Sequence, residues 1–114
     1  MKIKQFDVWI ADLEQQCGTE TGKVRPVLIV QTNLLNNEHH SSIVCPITTN
    51  VEKESEILRV HINKGIAKLK VESDIMIDQI RAIDNRRLLN KIGELKKDLQ
   101  IKVIDNIKII LDLD

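Results

Sequence analysis

The sequence predicts a small antiparallel sheet or barrel capped by one terminal helix. Three observations carry that expectation. The chain has 114 residues, about one domain. Its core must be aliphatic and β-leaning, since 18 Ile, 12 Leu and 9 Val stand against Phe6 and Trp9 as the whole aromatic set. Strand-length apolar segments recur along residues 6–83, whereas a long stripe at helical spacing occurs only at the carboxy-terminal end.

Taken in order, Phe6, Val8 and Ile10 alternate with Asp7, Trp9 and Ala11, giving a half-buried first strand. Residues 14–23 are polar, contain Gly18 and Gly22, and read as a loop. Residues 26–31 form a continuous aliphatic run suited to a core strand. Residues 33–40 read as a short helix or an irregular turn. Residues 43–49 make a third strand, in which Pro46 removes one ladder donor and predicts an edge or a bulge. After a charged loop at 51–56, Leu58, Val60 and Ile62 alternate with Arg59, His61 and Asn63 as a fourth strand. Residues 75–83 make a fifth, whose apolar phase shifts between Ile77 and Ile80 and predicts a bulge near Asp78–Gln79. A helical turn follows at 85–89, then a short strand or turn at 91–95. Asp98 is the expected N-cap of the final helix. Leu99, Val103, Ile104, Ile107, Ile110 and Leu111 fall on one stripe roughly 140° wide. Ile101 and Ile109 lie outside it, either without a role or as contacts for a partner chain. Repeats, linkers and low-complexity tracts are absent, so residues 1–114 read as one domain.

Composition excludes several functions. The 17 Lys+Arg and 17 Asp+Glu cancel, which excludes a polybasic nucleic-acid binder. Two aromatic rings cannot build a base-stacking platform. Cys17 and Cys45 show no CxxC and no histidine at ligand spacing, so neither a structural zinc site nor any other metal or cofactor is expected. Asp7 interrupts the amino-terminal apolar stretch, and no run approaches the ~20 residues of a membrane span. The expectation is a soluble, cytoplasmic protein. The neutrality is uneven, however. Residues 59–71 carry Arg59, Lys64, Lys68 and Lys70 without an acid, and residues 81–97 carry six basic residues against Asp84 and Glu94. These segments are either solvated surface or local positive patches.

Three places could hold chemistry. In the segment Gly18-Thr19-Glu20-Thr21-Gly22-Lys23-Val24-Arg25-Pro26, Pro26 biases Arg25 to an extended backbone at a strand start. There its guanidinium either offers a fork to a phosphate or forms a surface ion pair, with Glu20 as partner. Thr48-Thr49-Asn50 at the end of the third strand offers hydroxyl donors for a phosphate, or serves β-propensity and turn capping. Asp78-Gln79-Ile80-Arg81 places polar side chains inside an aliphatic run, either toward a ligand or simply toward solvent. His39, His40 and His61 read as solvated residues rather than general bases. No P-loop, nucleophile elbow, HExxH or GxGxxG occurs.

Read together, these segments resemble the MazF/PemK family of toxin endoribonucleases from bacterial toxin–antitoxin pairs, in the same order over nearly the whole chain. FDVWIADL is similar to the opening strand, with Phe6 where many members carry Gly. GTETGKVRPVLIV resembles the most distinctive segment, a Gly-x-Glu loop leading to Arg-Pro and an aliphatic strand. VCPITTN resembles the third strand, and IMIDQIRAIDNRRL the late acidic-Gln-x-Arg-x-Ile-Asp segment. Some members have an Arg and a His where this chain has Met76 and Thr19, so the resemblance is to the branch built on Arg and Thr.

The resemblance implies an SH3-like antiparallel barrel with a carboxy-terminal helix, the fold of CcdB/PemK-like plasmid-maintenance toxins, assembled as a homodimer. It implies metal-independent, sequence-specific cleavage of single-stranded RNA such as mRNA, with arrest of translation. A cognate antitoxin with an acidic tail would neutralise it, and that complex would bind DNA. By position, Arg25 and Thr48 become the catalytic candidates. Thr19, Glu20, Thr49, Asp78, Gln79 and Arg81 become the substrate-binding ones. The implied reaction is attack of the RNA 2′-hydroxyl on its own phosphate, leaving a 2′,3′-cyclic phosphate and a 5′-hydroxyl. Arg25 would stabilise the transition state, Thr48 would hold a phosphate oxygen, and Glu20 is the carboxylate available for the 2′-proton. The alternatives are a CcdB-like gyrase poison, which acts through a Trp-containing carboxy-terminal end, and an inactive member that only binds RNA or antitoxin. The chain's single Trp is Trp9, far from its Ile109–Asp114 ending, which speaks against the poison.

Overall fold

The order of elements follows from where the aliphatic runs fall and where they break. A computed structural model describes residues 2–13, 23–55 and 57–114. Within them lie seven strands: β1 (Asp7–Asp12), β2 (Val24–Ile29), β3 (Ser41–Thr48), β4 (Arg59–Ile62), β5 (Ser73–Met76), β6 (Arg81–Asp84) and β7 (Leu88–Glu94). The helix α1 (Lys97–Ile110) follows them. The strands form one antiparallel sheet in the order β4-β5-β3-β2-β1-β7, and β6 pairs with the other stretch of β3. This is the mainly β architecture with a terminal helix that the sequence predicts.

Strand alternation gives the sheet two apolar faces. Val8, Leu28 and Cys45 lie side by side on one face, because Val8 pairs with Leu28 and Leu28 with Cys45. Ile47, Val60, Ile62, Ile75 and Ile77 continue that core, and Leu99 and Val103 of α1 cover it. On the opposite face Trp9, Ala11, Val27, Ile29, Val44, Ile83 and Leu88 form a second buried cluster. Burying each of the larger aliphatic side chains stabilises the fold by about 1.5–3 kcal/mol.

Several elements differ from the expectations. The fifth strand is not continuous over 75–83 but two strands, β5 and β6, joined by a 3-10 turn at Ile77–Gln79. The shifted apolar phase marks that turn rather than a bulge. Pro46 sits in the central strand β3, neither at an edge nor at a bulge. The carbonyl of Ile43 accepts from Val30 N–H (3.0 Å) and Gln31 N–H (3.2 Å), so odd-numbered residues of β3 direct their backbone toward β2. The missing donor of Pro46 therefore points to the opposite side. There β3 passes from β6, at Val44↔Arg81, to β5, at Ile47↔Ile75. The 3-10 turn fills the gap, so the proline costs no ladder bond.

The helix begins at Lys97 with Lys96 as its N-cap residue, and Asp98 lies in the first turn instead, where its charge favours the helix dipole. The buried stripe is narrower than expected: Ile104 and Leu111 are exposed, as are Ile101 and Ile109. Asn106 is buried in place of an aliphatic residue and donates its Nδ2 to Lys102 O at 2.8 Å. Residues 33–40 are irregular turns, the helical turn near 85 is confined to Asn85–Arg87, and the 91–95 segment belongs to the longer β7.

Phe6 stands in the left-handed region at φ 71°. That conformation is natural for glycine and costs an L-residue about 1–2 kcal/mol. It lets Phe6 N–H reach Ile29 O (2.7 Å) while its carbonyl accepts from Leu95 N–H (2.9 Å), which ties the start of β1 to both β2 and the approach to α1. Its ring packs on the first core.

Gly93 on β7 meets the backbone of Ala67 so closely that a Cβ there would lie 2.8 Å from it. Gly93→Ala is therefore expected to destabilise the protein by about 1–3 kcal/mol through overpacking. Urea unfolding measures this, and an unchanged midpoint would contradict the close approach.

Candidate active site

The antiparallel register between β2 and β3 builds the centre of the site. Val27 pairs with Pro46, Leu28 with Cys45 and Ile29 with Val44. Carried two residues beyond the last paired rung, that register sets Arg25 opposite Thr48, on the face of Val27 and Pro46. On its other side Arg25 pairs with Ala11 of β1, and Thr48 pairs with Asp74 of β5. Both Arg25 and Thr48 are half-buried. Burial pushes the Arg25 pKa down from its ordinary value.

Thr48 is held by its own turn. Its Oγ1 accepts from Asn50 N–H at 3.1 Å, an arrangement that leaves the hydroxyl proton for an outside acceptor. Thr49 follows, exposed at the exit of the strand. Arg81 pairs with Val44, so it shares the face of Arg25 and Thr48, four residues or ~13 Å along β3 from Thr48. It is half-buried and makes no ion pair among the described residues. Asp78 and Gln79 occupy the 3-10 turn beside Cys45 and Pro46, Asp78 exposed and Gln79 half-buried. Of the expected site residues, Arg25, Thr48, Thr49, Asp78, Gln79 and Arg81 thus border one stretch of β3. Thr19 and Glu20, with the loop they belong to, lie outside the described residues. Among the described residues no three His, Cys, Asp or Glu side chains group to hold a metal ion.

Some residues of the basic segments are paired with acids in space. Arg59 pairs with Asp74 (3.3 Å) and Glu52 (3.6 Å), and Arg86 with Asp84 (3.0 Å). Arg86 holds the Asp84 carboxyl down at about 2. Lys91 reaches Asp7 at 3.1 Å, and the buried Asp7 also accepts from Lys4 N–H (2.9 Å) and Trp9 Nε1 (3.3 Å). Asp7 thereby raises the Lys91 pKa. His61, expected to face solvent, instead puts Nδ1 3.2 Å from Asp74 Oδ1 and Nε2 3.6 Å from Glu72.

Sequence reasoning misses Asp74 as the centre of this arrangement. It is 1 % exposed and also accepts from Glu52 N–H at 2.8 Å. Its one visible signal is an acidic residue just ahead of the isoleucine-rich segment 75–83.

A profile of PemK-like, MazF-like toxins of type II toxin–antitoxin systems matches residues 4–111. The chain belongs to this family. Among its PemK-like relatives, endoribonuclease EndoA of Bacillus subtilis (strain 168) is 36 % identical over 113 residues, covering 99 % of this chain and 97 % of that protein. Endoribonuclease MazF of Staphylococcus epidermidis is 37 % identical over 112 residues, covering 98 % and 93 %. The solved Mycobacterium tuberculosis toxin MazF-mt6 superposes with a TM-score of 0.80 at 26 % identity, over 95 % of this chain and 98 % of that one. The fold is therefore the SH3-like barrel with a carboxy-terminal helix that the PemK-like resemblance implies.

Cys45 lies on β3 beside this site but on its opposite, buried face. Burial, with the nearby charge of Asp78, pushes its thiol up to about 12. Thiolate is the reactive form, so Cys45 is expected to resist iodoacetamide at pH 8 in the folded protein and to react once urea unfolds it. Mass mapping of the Cys45 peptide reads the outcome, and rapid labelling of folded protein would contradict this burial.

Proposed function

We propose that residues 1–114 form a single toxin endoribonuclease domain that cuts single-stranded RNA, mRNA in particular, at specific sequences and without a metal ion. Cleavage arrests translation in the cytoplasm, and a cognate antitoxin with an acidic tail neutralises the enzyme. The reading is supported by the family and by relatives named as endoribonucleases. The observation that carries it is the β2–β3 register, observed as far as Val27↔Pro46, which continued by two residues puts Arg25 opposite Thr48. The active species is a homodimer, for which exposed Ile101 and Ile109 offer apolar surface.

In the reaction the 2′-oxygen bonds to the adjacent phosphorus while the bond from phosphorus to the 5′-oxygen breaks. The 2′-proton leaves to a base, and the departing 5′-oxygen gains a proton. The products are a 2′,3′-cyclic phosphate and a 5′-hydroxyl. The Arg25 guanidinium contacts the phosphate oxygens as charge grows on them, a task that suits a planar, partly desolvated cation. Arginine is a poor base, so the 2′-proton falls to another group, with Glu20 as the candidate carboxylate. The Thr48 hydroxyl, already accepting from Asn50 N–H, donates its proton to a phosphate oxygen. Thr19, Thr49, Asp78, Gln79 and Arg81 line the path of the RNA, with Arg81 placed to meet a neighbouring phosphate. Dependence on the 2′-hydroxyl makes DNA inert as a substrate.

Arg25→Ala and Thr48→Val are each expected to slow cleavage of an RNA oligonucleotide at least ~100-fold while circular dichroism stays unchanged. Full activity in either folded variant would overturn this site. EDTA is expected to leave the rate unchanged, and a loss rescued by Mg²⁺ would overturn the metal-independent mechanism.

A further inference from the structure

The Thr48 hydroxyl is only as well placed as the turn that follows it, and that turn has few apolar contacts to hold it. Thr49, Asn50, Glu52 and Lys53 are all exposed. What fixes it is charge. Arg59 Nη1 donates to Asn50 O at 2.7 Å and to Asp74 Oδ2 at 3.3 Å. The same Asp74 oxygen accepts from Glu52 N–H at 2.8 Å, and the other oxygen accepts from His61 Nδ1 at 3.2 Å. Asp74 is itself the cross-strand partner of Thr48.

We propose that Asp74 and Arg59 are positioning residues for RNA cleavage, holding the Thr48 hydroxyl through the backbone of Asn50 and Glu52. This rests on the reading of Thr48 as a catalytic residue. The contacts form a closed path: Asn50 N–H holds the Thr48 oxygen, Arg59 holds the Asn50 carbonyl, and Asp74 holds both Arg59 and the Glu52 amide. A pair serving only to stabilise the sheet would need none of the contacts to residues 50 and 52. Arg59 is suited to the link because one planar guanidinium donates to two acceptors at fixed angles. The Arg59 side chain is 15 % exposed and that of Asp74 1 %, so water competes poorly for these bonds. His61 closes the far side of the carboxylate and limits its rotation.

Single-turnover cleavage of an RNA oligonucleotide tests this, with Arg59→Gln, Asp74→Asn, Thr48→Val and the double variant Thr48→Val/Arg59→Gln. Thermal melts accompany each, and rates are compared on the folded fraction. Because misplacement of a catalytic group by about 1 Å can cost ~100-fold, Arg59→Gln and Asp74→Asn are each expected to lose at least ~10-fold in the maximal rate constant. The RNA concentration giving half that rate should change less than about threefold, since most of the proposed RNA contacts lie outside this turn. If Arg59 acts through Thr48, the double variant is no slower than Thr48→Val alone. Should Asp74→Asn fail to fold, Arg59→Gln and the double variant decide the matter. Wild-type rates in folded Arg59→Gln, or losses that multiply in the double variant, would overturn the proposal. A wild-type rate in Thr48→Val would be a different failure, since it removes the catalytic reading of Thr48 itself.

Discussion

Everything in this protein's candidate site depends on the register of three adjacent strands. Val8, Leu28 and Cys45 form one rung of β1, β2 and β3, and all three are fully buried. A slip of one residue would exchange the two faces of β2 along its whole length. Val27 and Ile29 would leave the second cluster, and Arg25 would turn toward the face on which α1 packs. The two apolar clusters therefore specify more than stability: they decide which side of the sheet carries the guanidinium. Phe6 reinforces the same register from one end through its bond to Ile29 O, at the cost of a left-handed backbone.

Electrostatics then acts locally on that frame. The molecule has no net charge, and some of its basic residues are met by acids from neighbouring strands, as Arg59 is by Asp74 and Lys91 by Asp7. Such pairing, with zero net charge, limits bulk attraction of nucleic acid. It also turns charge into architecture, because the Asp74 cluster holds the turn after Thr48 and the Asp7 cluster holds the entry to β1. On the proposed reading, Arg25 and Arg81 supply the positive charge that meets the RNA phosphates. With two aromatic residues the chain has no base-stacking platform, so the proposed RNA site rests on polar groups.

Much of this was legible in the sequence. Alternation in residues 6–11 and 58–62 and the aliphatic run at 26–31 place β1, β4 and β2, because a period of two has one physical meaning when the apolar positions fill a core. Arg25 before Pro26, and Thr48 at a strand end, were visible as candidates, although what joins them is a register that no single segment encodes. Pro46 misled because its donor faces a gap between two partners, a property of the assembled sheet. The break at Ile77–Gln79 belongs to the same event. Asp74 and Asn106 escaped notice because burial of a polar side chain depends on partners distant in sequence: Arg59 and His61 for Asp74, and the packing of α1 for Asn106. Ile104 and Leu111 lie on the stripe that helical spacing draws, yet both are exposed in the folded protein.

The central claim is that one rung of the sheet brings a guanidinium and a hydroxyl to one phosphate. A crystal structure of the protein with an RNA carrying a single 2′-deoxy nucleotide at the cleavage position tests it most directly, since that RNA binds but cannot attack itself. The account predicts that the scissile phosphate lies within hydrogen-bond distance of both the Arg25 guanidinium and the Thr48 Oγ1. A scissile phosphate seated away from both side chains, with other groups on its oxygens, would contradict it.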